Sequence, residues 1–194
     1  MKRLISSLLM IALCSTLSFG GFTYTISDTY HYGTLTLIGD QSLKVTGAGA
    51  TGIHANDYSY IEVHNTASLQ ENIGGIYALD LDDNSTMNYY GGEMGGFNIY
   101  DNAEAVFSGG SINYISSYQD SDIKKHITFI CDVDSVNLTG NLLTGNWLDG
   151  SSFSITLLNQ SGYDSVYSNI QFIPEPATLV LLVLGGLRLH KKKR

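Results

Sequence analysis

The sequence predicts an all-β fold: a short parallel β-solenoid of about 18 residues per coil, a C-terminal β-strand cap, a signal peptide in front and a C-terminal transmembrane helix behind. Three observations predict it. Glycine (21) and tyrosine (13) are abundant and charged residues make up only 14% of the 194 positions, a composition that favours short strands and turns over long soluble helices. Alternating apolar pairs recur along the middle of the chain at a fixed spacing. Both ends are apolar runs flanked by basic residues.

The elements follow in order as residues 1–20 (signal peptide), 21–120 (repeat region), 121–173 (β cap) and 174–194 (C-terminal signal). At the N-terminus, Lys2 and Arg3 precede an apolar stretch from Leu4 to about Leu17, and Ser18 and Gly20 are small residues at −3/−1 spacing. That order is that of a secretory signal peptide cut after Gly20. Removing it takes Cys14 away and leaves Cys131 alone in the apolar run FICDV. A lone cysteine there is expected to be a buried thiol, with pairing to another chain as the alternative.

The repeat region aligns as IEVHNTASLQENIGG from Ile61, LDLDDNSTMNYYGGE from Leu79 and FNIYDNAEAVFSGGS from Phe97, with Leu43 and Ile115 in the same phase. Each unit has apolar residues two apart, which point to one side of a strand. An Asp-Asn turn follows, then a second strand-like piece, then a Gly-Gly corner that can take positive φ. One unit cannot bury its own apolar column, whereas stacked units can. A β-sandwich with accidental spacing is the alternative. From Ser121 onward ITFICDV, FSITLLN and NIQFI read as strands and LDGSS as a turn, a piece suited to covering an open sheet end. Trp147 is expected in that core.

Charge excludes several functions. All 18 acidic residues lie between Asp28 and Glu175, and from Gly21 to Ile173 they are opposed only by Lys44, Lys124 and Lys125. So acidic a body repels nucleic acid, whose binding depends on Lys and Arg neutralising phosphates. It also repels acidic polysaccharides unless divalent cations bridge the two. No metal site is expected. Asp83, Asn84, Asp101 and Asn102 are better explained as turn residues bonding their own backbone than as a calcium ladder. No catalytic residues and no cofactor are expected. The histidines show no ligand spacing and no partnered Ser or Cys, and a carboxylate pair chosen among so many acids carries no information. Tyr58, Tyr60, Tyr89, Tyr90 and Tyr100 are candidate stacking surfaces for sugar, with one ring of Tyr89-Tyr90 facing in and the other out.

The chain closes on Pro174-Glu175-Pro176, an apolar run from Ala177 to Leu187, and the basic cluster Lys191, Lys192, Lys193 and Arg194. The apolar run is about 16 Å long as a helix, short against roughly 30 Å of hydrocarbon, and the basic tail is expected on the cytoplasmic side. The two prolines hold Glu175 in extended backbone, a form that fits a protease cleft.

These three parts, in this order at the end of the chain, resemble the PEP-CTERM sorting signal. The Asp-Asn-Ser and Gly-Gly repeats and the stretch LTGNWLDGSSFSI are similar to pieces of other PEP-CTERM proteins. The resemblance implies an exosortase, a membrane cysteine protease, as processing partner. It implies a protein held briefly in the inner membrane through its C-terminal helix and then delivered to the cell surface or exterior. The expected function is a non-catalytic, structural protein of the cell envelope or biofilm matrix. A carbohydrate-binding module facing extracellular polysaccharide is the alternative, and a polysaccharide-degrading β-helix enzyme a more remote one.

Overall fold

The structure, a computed structural model, describes residues 21–69, 74–120 and 125–174. The signal peptide, Glu175, Pro176, the apolar run and the basic tail lie outside the described residues. Fourteen strands make up the body: β1 (Tyr24–Ile26), β2 (His31–Leu37), β3 (Ser42–Val45), β4 (Gly49–Ala55), β5 (Tyr60–Val63), β6 (Gly75–Leu81), β7 (Thr86–Tyr89), β8 (Glu93–Tyr100), β9 (Glu104–Phe107), β10 (Ser111–Tyr118), β11 (Ile127–Thr139), β12 (Leu142–Trp147), β13 (Ser152–Asn159) and β14 (Ile170–Ile173). A 3₁₀ turn at Val166–Asn169 precedes β14.

Odd and even strands separate. β1, β3, β5, β7, β9 and the start of β11 pair in parallel, and β2, β4, β6, β8, β10 and β13 pair in parallel opposite them. The apolar columns face one another between the two ladders. Leu43, Ile61, Met87, Ala105 and Ile127 stack on one side, and Ile53, Leu79, Phe97 and Ile115 on the other, all at most 1% exposed. Each large aliphatic side chain so buried contributes roughly 1.5–3 kcal/mol.

The expected parallel β-solenoid with a separate cap and a transmembrane helix is corrected. The described residues form one 14-stranded, barrel-like sheet, ordered β1-β3-β5-β7-β9-β11-β12-β13-β10-β8-β6-β4-β2, with β14 beside β11. The physical reason lies in β11. Its first residues extend the odd ladder beside β9, and its later ones pair antiparallel with β12, which pairs antiparallel with β13. The two ladders are thereby joined through backbone hydrogen bonds rather than covered by a separate layer. The sheet is nearly closed, open only between β1 and β2. Among the described residues no helix is long and apolar enough to cross a membrane.

The repeat alignment is also corrected in part. Leu43 and Ile61 belong to the odd ladder, whereas Leu79, Phe97 and Ile115 belong to the even one. The steps from Ile53 to Leu79 and from Ile61 to Met87 are equal, and both are longer than the step from Leu79 to Phe97. The extra residues form the connection after Val63, which shifts one ladder's phase onto the other's.

Cys131 and Trp147 are buried as expected, at 0% and 1% exposure. The Trp147 indole Nε1 donates to the Gly110 carbonyl at 2.9 Å.

Candidate functional site

One corner of the body repeats from unit to unit and builds the most chemically furnished surface. Asp57, Asp83 and Asp101 each adopt positive φ (57°, 56° and 48°), a conformation that Asp tolerates better than most residues. The following residue donates its backbone N–H to the corner carbonyl of the preceding unit: Tyr58 to Gly39 at 3.0 Å, Asn84 to Asp57 at 2.9 Å, Asn102 to Asp83 at 2.8 Å. Side chains reinforce the stack, with Asp57 Oδ2 accepting from Gly39 N at 2.8 Å and Asp83 Oδ2 from Asp57 N at 3.1 Å. These side chains thus bond the backbone of the neighbouring unit rather than their own.

The stack stops at Gln119. Its side-chain amide donates to the carbonyl of Asp101 at 2.7 Å, where a further unit would place a backbone N–H. Buried Asn169 holds that amide in place, donating to Gln119 Oε1 at 2.7 Å and to Ser117 Oγ at 2.9 Å while accepting from His126 N at 2.9 Å.

Beside this stop lies a cleft of about 430 Å³ whose lining includes Asp83, Asp101, Asn102, Tyr118, His126 and Tyr163. The Tyr118 ring stacks on Tyr100 at 4.5 Å and 11°, and Tyr163 meets Tyr118 edge-on at 5.6 Å. Tyr163 is 47% exposed. Burial first, and then the carboxylate of Asp80 and the neighbouring Tyr118, push the Tyr100 phenol up to about 12, so it stays a neutral donor. Carboxylate oxygens of Asp82, Asp83 and Asp101 lie within 4.8 Å of one another. A hydrogen bond with Asp82, added to slight burial and repulsion from Asp82 and Asp83, raises the Asp101 carboxyl above its ordinary value.

A second polar group sits on the outer face of the odd ladder. Glu62 accepts from the Tyr60 hydroxyl at 2.7 Å and pairs with His64 Nε2 at 3.0 Å, and the Asn88 side chain donates to the Tyr60 hydroxyl at 2.9 Å. Desolvation pushes the Glu62 carboxyl upward, but the hydrogen bonds from His64 and Tyr60 outweigh it and leave it below the ordinary range. His54 pairs with Asp82 at 3.8 Å. Neither histidine has a serine or cysteine hydrogen-bonded to its imidazole among the described residues.

Of the five candidate stacking tyrosines, Tyr89, Tyr90 and Tyr100 come apart. Tyr89 is fully buried, with its ring 5.7 Å from Phe107, and offers no face to a sugar. Tyr90 is 47% exposed, as expected for the outward member of the pair, but one face is stacked on His64 at 4.8 Å. Tyr100 contributes to the corner cleft through Tyr118. Sequence reasoning missed Tyr118, although it stands one repeat length after Tyr100 and is its register partner on the neighbouring strand, which places one ring above the other. Tyr163 lies outside the repeat and left no such trace. Of the C-terminal motif, Pro174 is described. It is exposed and borders a second cleft with Cys131, Trp147 and Leu148.

Comparison of the chain with protein-family models, curated proteins and solved structures finds no match.

Proposed function

We propose that the chain is an exported, non-catalytic protein of the cell surface or extracellular matrix, delivered by exosortase processing at Pro174-Glu175-Pro176. The supporting observation is where the last described strand ends. β14 ends at Ile173, and exposed Pro174 follows at once. A cut at the motif leaves all fourteen strands on the released body. The partner is an exosortase. The strongly acidic body argues against nucleic acid as a ligand. Mass spectrometry of the protein collected outside its native cells is expected to find an N-terminus near Gly21 and a C-terminus at or beside Pro174 to Pro176. Recovery of the uncut chain dissolved in the cytosol overturns this reading.

The corner cleft favours a second reading, in which the surface protein holds a neutral glycan. Tyr163 presents a partly exposed ring, and Asp101, Asn102 and Asp83 offer acceptors and donors for sugar hydroxyls beside it. Calorimetry with neutral polysaccharides is expected to show binding that Tyr163→Ala weakens about tenfold, near 1.4 kcal/mol. Binding indifferent to Tyr163, or none across a panel of neutral glycans, removes this reading.

A further inference from the structure

A cleft of about 650 Å³ opens where β11 leaves β14. That volume lies within the range of roughly 300–1,000 Å³ over which protein pockets hold ligands. Buried Cys131 and Trp147 line it together with Val133 and Leu148, which are 38 and 42% exposed, and Pro174 stands on its rim. Ile173, 39% exposed, is the preceding residue in the chain. Exposed aliphatic side chains so close together leave apolar area in water that an occupant removes. Asp132 and Asp134 also line the cleft. Both are exposed, and neither is paired with a base among the described residues.

Continuity and charge select the occupant. From Pro174 the chain runs on through Glu175 and Pro176 into the apolar run 177–187, and then to the bases Arg188, Lys191, Lys192, Lys193 and Arg194. The three residue steps from Pro174 to Ala177 span at most about 11 Å, so the apolar run starts beside the rim of the cleft. A segment joined to its site by so short a tether has a high effective concentration there, which a free partner lacks. It offers leucines and valines to the apolar wall and bases to Asp132 and Asp134. The residues before Gly21 begin at the opposite end of the odd ladder, beside β1, five strand spacings or about 24 Å away.

We propose that the start of the apolar run, residues 177–180, packs into this cleft of its own chain in the uncut protein, with Leu179 against Val133 and Leu148. Glu175 then bridges the rim between its two prolines, on the outside of the contact, where a protease reaches it. The contact itself does not depend on exosortase. Its consequence does, and rests on the processing reading: a cut between Pro174 and Pro176 detaches the occupant and uncovers Val133 and Leu148 outside the cell.

In the full uncut chain, a photoreactive benzophenone side chain in place of Leu179 is expected to cross-link within its own molecule, to residues 131–134 or 146–150, as mapped by mass spectrometry. Leu148→Asp sets a carboxylate in the apolar wall and is expected to lower that cross-link at least about tenfold. Its β-sheet circular dichroism stays intact, because Leu148 is exposed. Leu158→Asp makes the same change on β13, at a leucine exposed to a similar degree but outside the cleft, and is expected to leave the cross-link unchanged. Cross-links that map elsewhere on the body, that join two copies and grow with concentration, or that respond equally to both substitutions overturn the proposal. So does a cross-link that moves to acyl chains when phosphatidylethanolamine vesicles are added, which would make lipid the occupant. None of these outcomes touches the processing reading, which the chain termini of the exported protein decide.

Discussion

Phe129→Ala is expected to lower the thermal midpoint by on the order of 10 °C. Removing a fully buried phenylalanine costs about 3–5 kcal/mol, and each kcal/mol moves the midpoint by about 2–4 °C in a domain of this size. Phe129 is 0% exposed and stands where the two ladders are tied together. In register it lies between Phe107 of β9 and Phe172 of β14. Its ring is 5.3 Å from Phe107, 5.4 Å from Trp147 with the planes 8° apart, 5.7 Å from Phe153 and 5.8 Å from Phe172. No smaller rearrangement fills the gap, because four aromatic neighbours from four strands border it. Trp147 is the chain's single tryptophan, so its emission reports on this junction alone. Denaturation followed by Trp147 fluorescence and by circular dichroism is expected to show coincident transitions at lower stability, with red-shifted native emission. A loss below about 1 kcal/mol means that the ladders are joined by backbone pairing and not by this aromatic packing.

Gly110→Ala is expected to cost about 3 kcal/mol, and Gly150→Ala about 1 kcal/mol, although both glycines have nearly the same positive φ. Their φ angles are +82° and +86°, so each substitution carries a cost for positive φ. What differs is space. A Cβ on Gly150 meets nothing within 4 Å, whereas one on Gly110 falls 2.7 Å from the Gly92 carbonyl oxygen and 2.7 Å from Cε1 of Tyr89. Tyr89 is fully buried and cannot swing aside, and the Gly110 carbonyl also receives the Trp147 indole. Equal urea-denaturation losses for the two variants would show that the corner has slack to absorb a methyl group.

The sequence showed its local chemistry more clearly than its connectivity. Leu79 with Leu81 and Phe97 with Ile99 face inward because alternation is a property of neighbouring residues and their strand. The turns at Asp83 and Asp101 were visible in the Asp-Asn pairs for the same reason, although positive φ was expected at the Gly-Gly corners rather than at these aspartates. Which columns stack was harder. The lengthened connection after Val63 lets Ile61 and Leu79 stand one repeat length apart in the chain while sitting in opposite ladders, and spacing alone does not reveal that. The return of β11 was hidden because one long strand serves two pairings, parallel with β9 and antiparallel with β12, without a break in the chain to mark the change. At the corner cleft, Asp101 and Asn102 belong to the repeat and could be found from it. Tyr163 and Asn169 arrive from far along the chain, and their positions depend on the closure of the sheet.

The constant advance along the even ladder has an evolutionary corollary. From Leu79 to Phe97 to Ile115 the register moves by the same increment each time, so gain or loss of one whole segment returns every following side chain to the side it occupied before. A gain of a single residue within a strand turns oily columns outward and polar ones inward. Homologous chains should therefore differ in size by discrete increments in the strands, while drifting freely in length at bends such as the one that follows Val63.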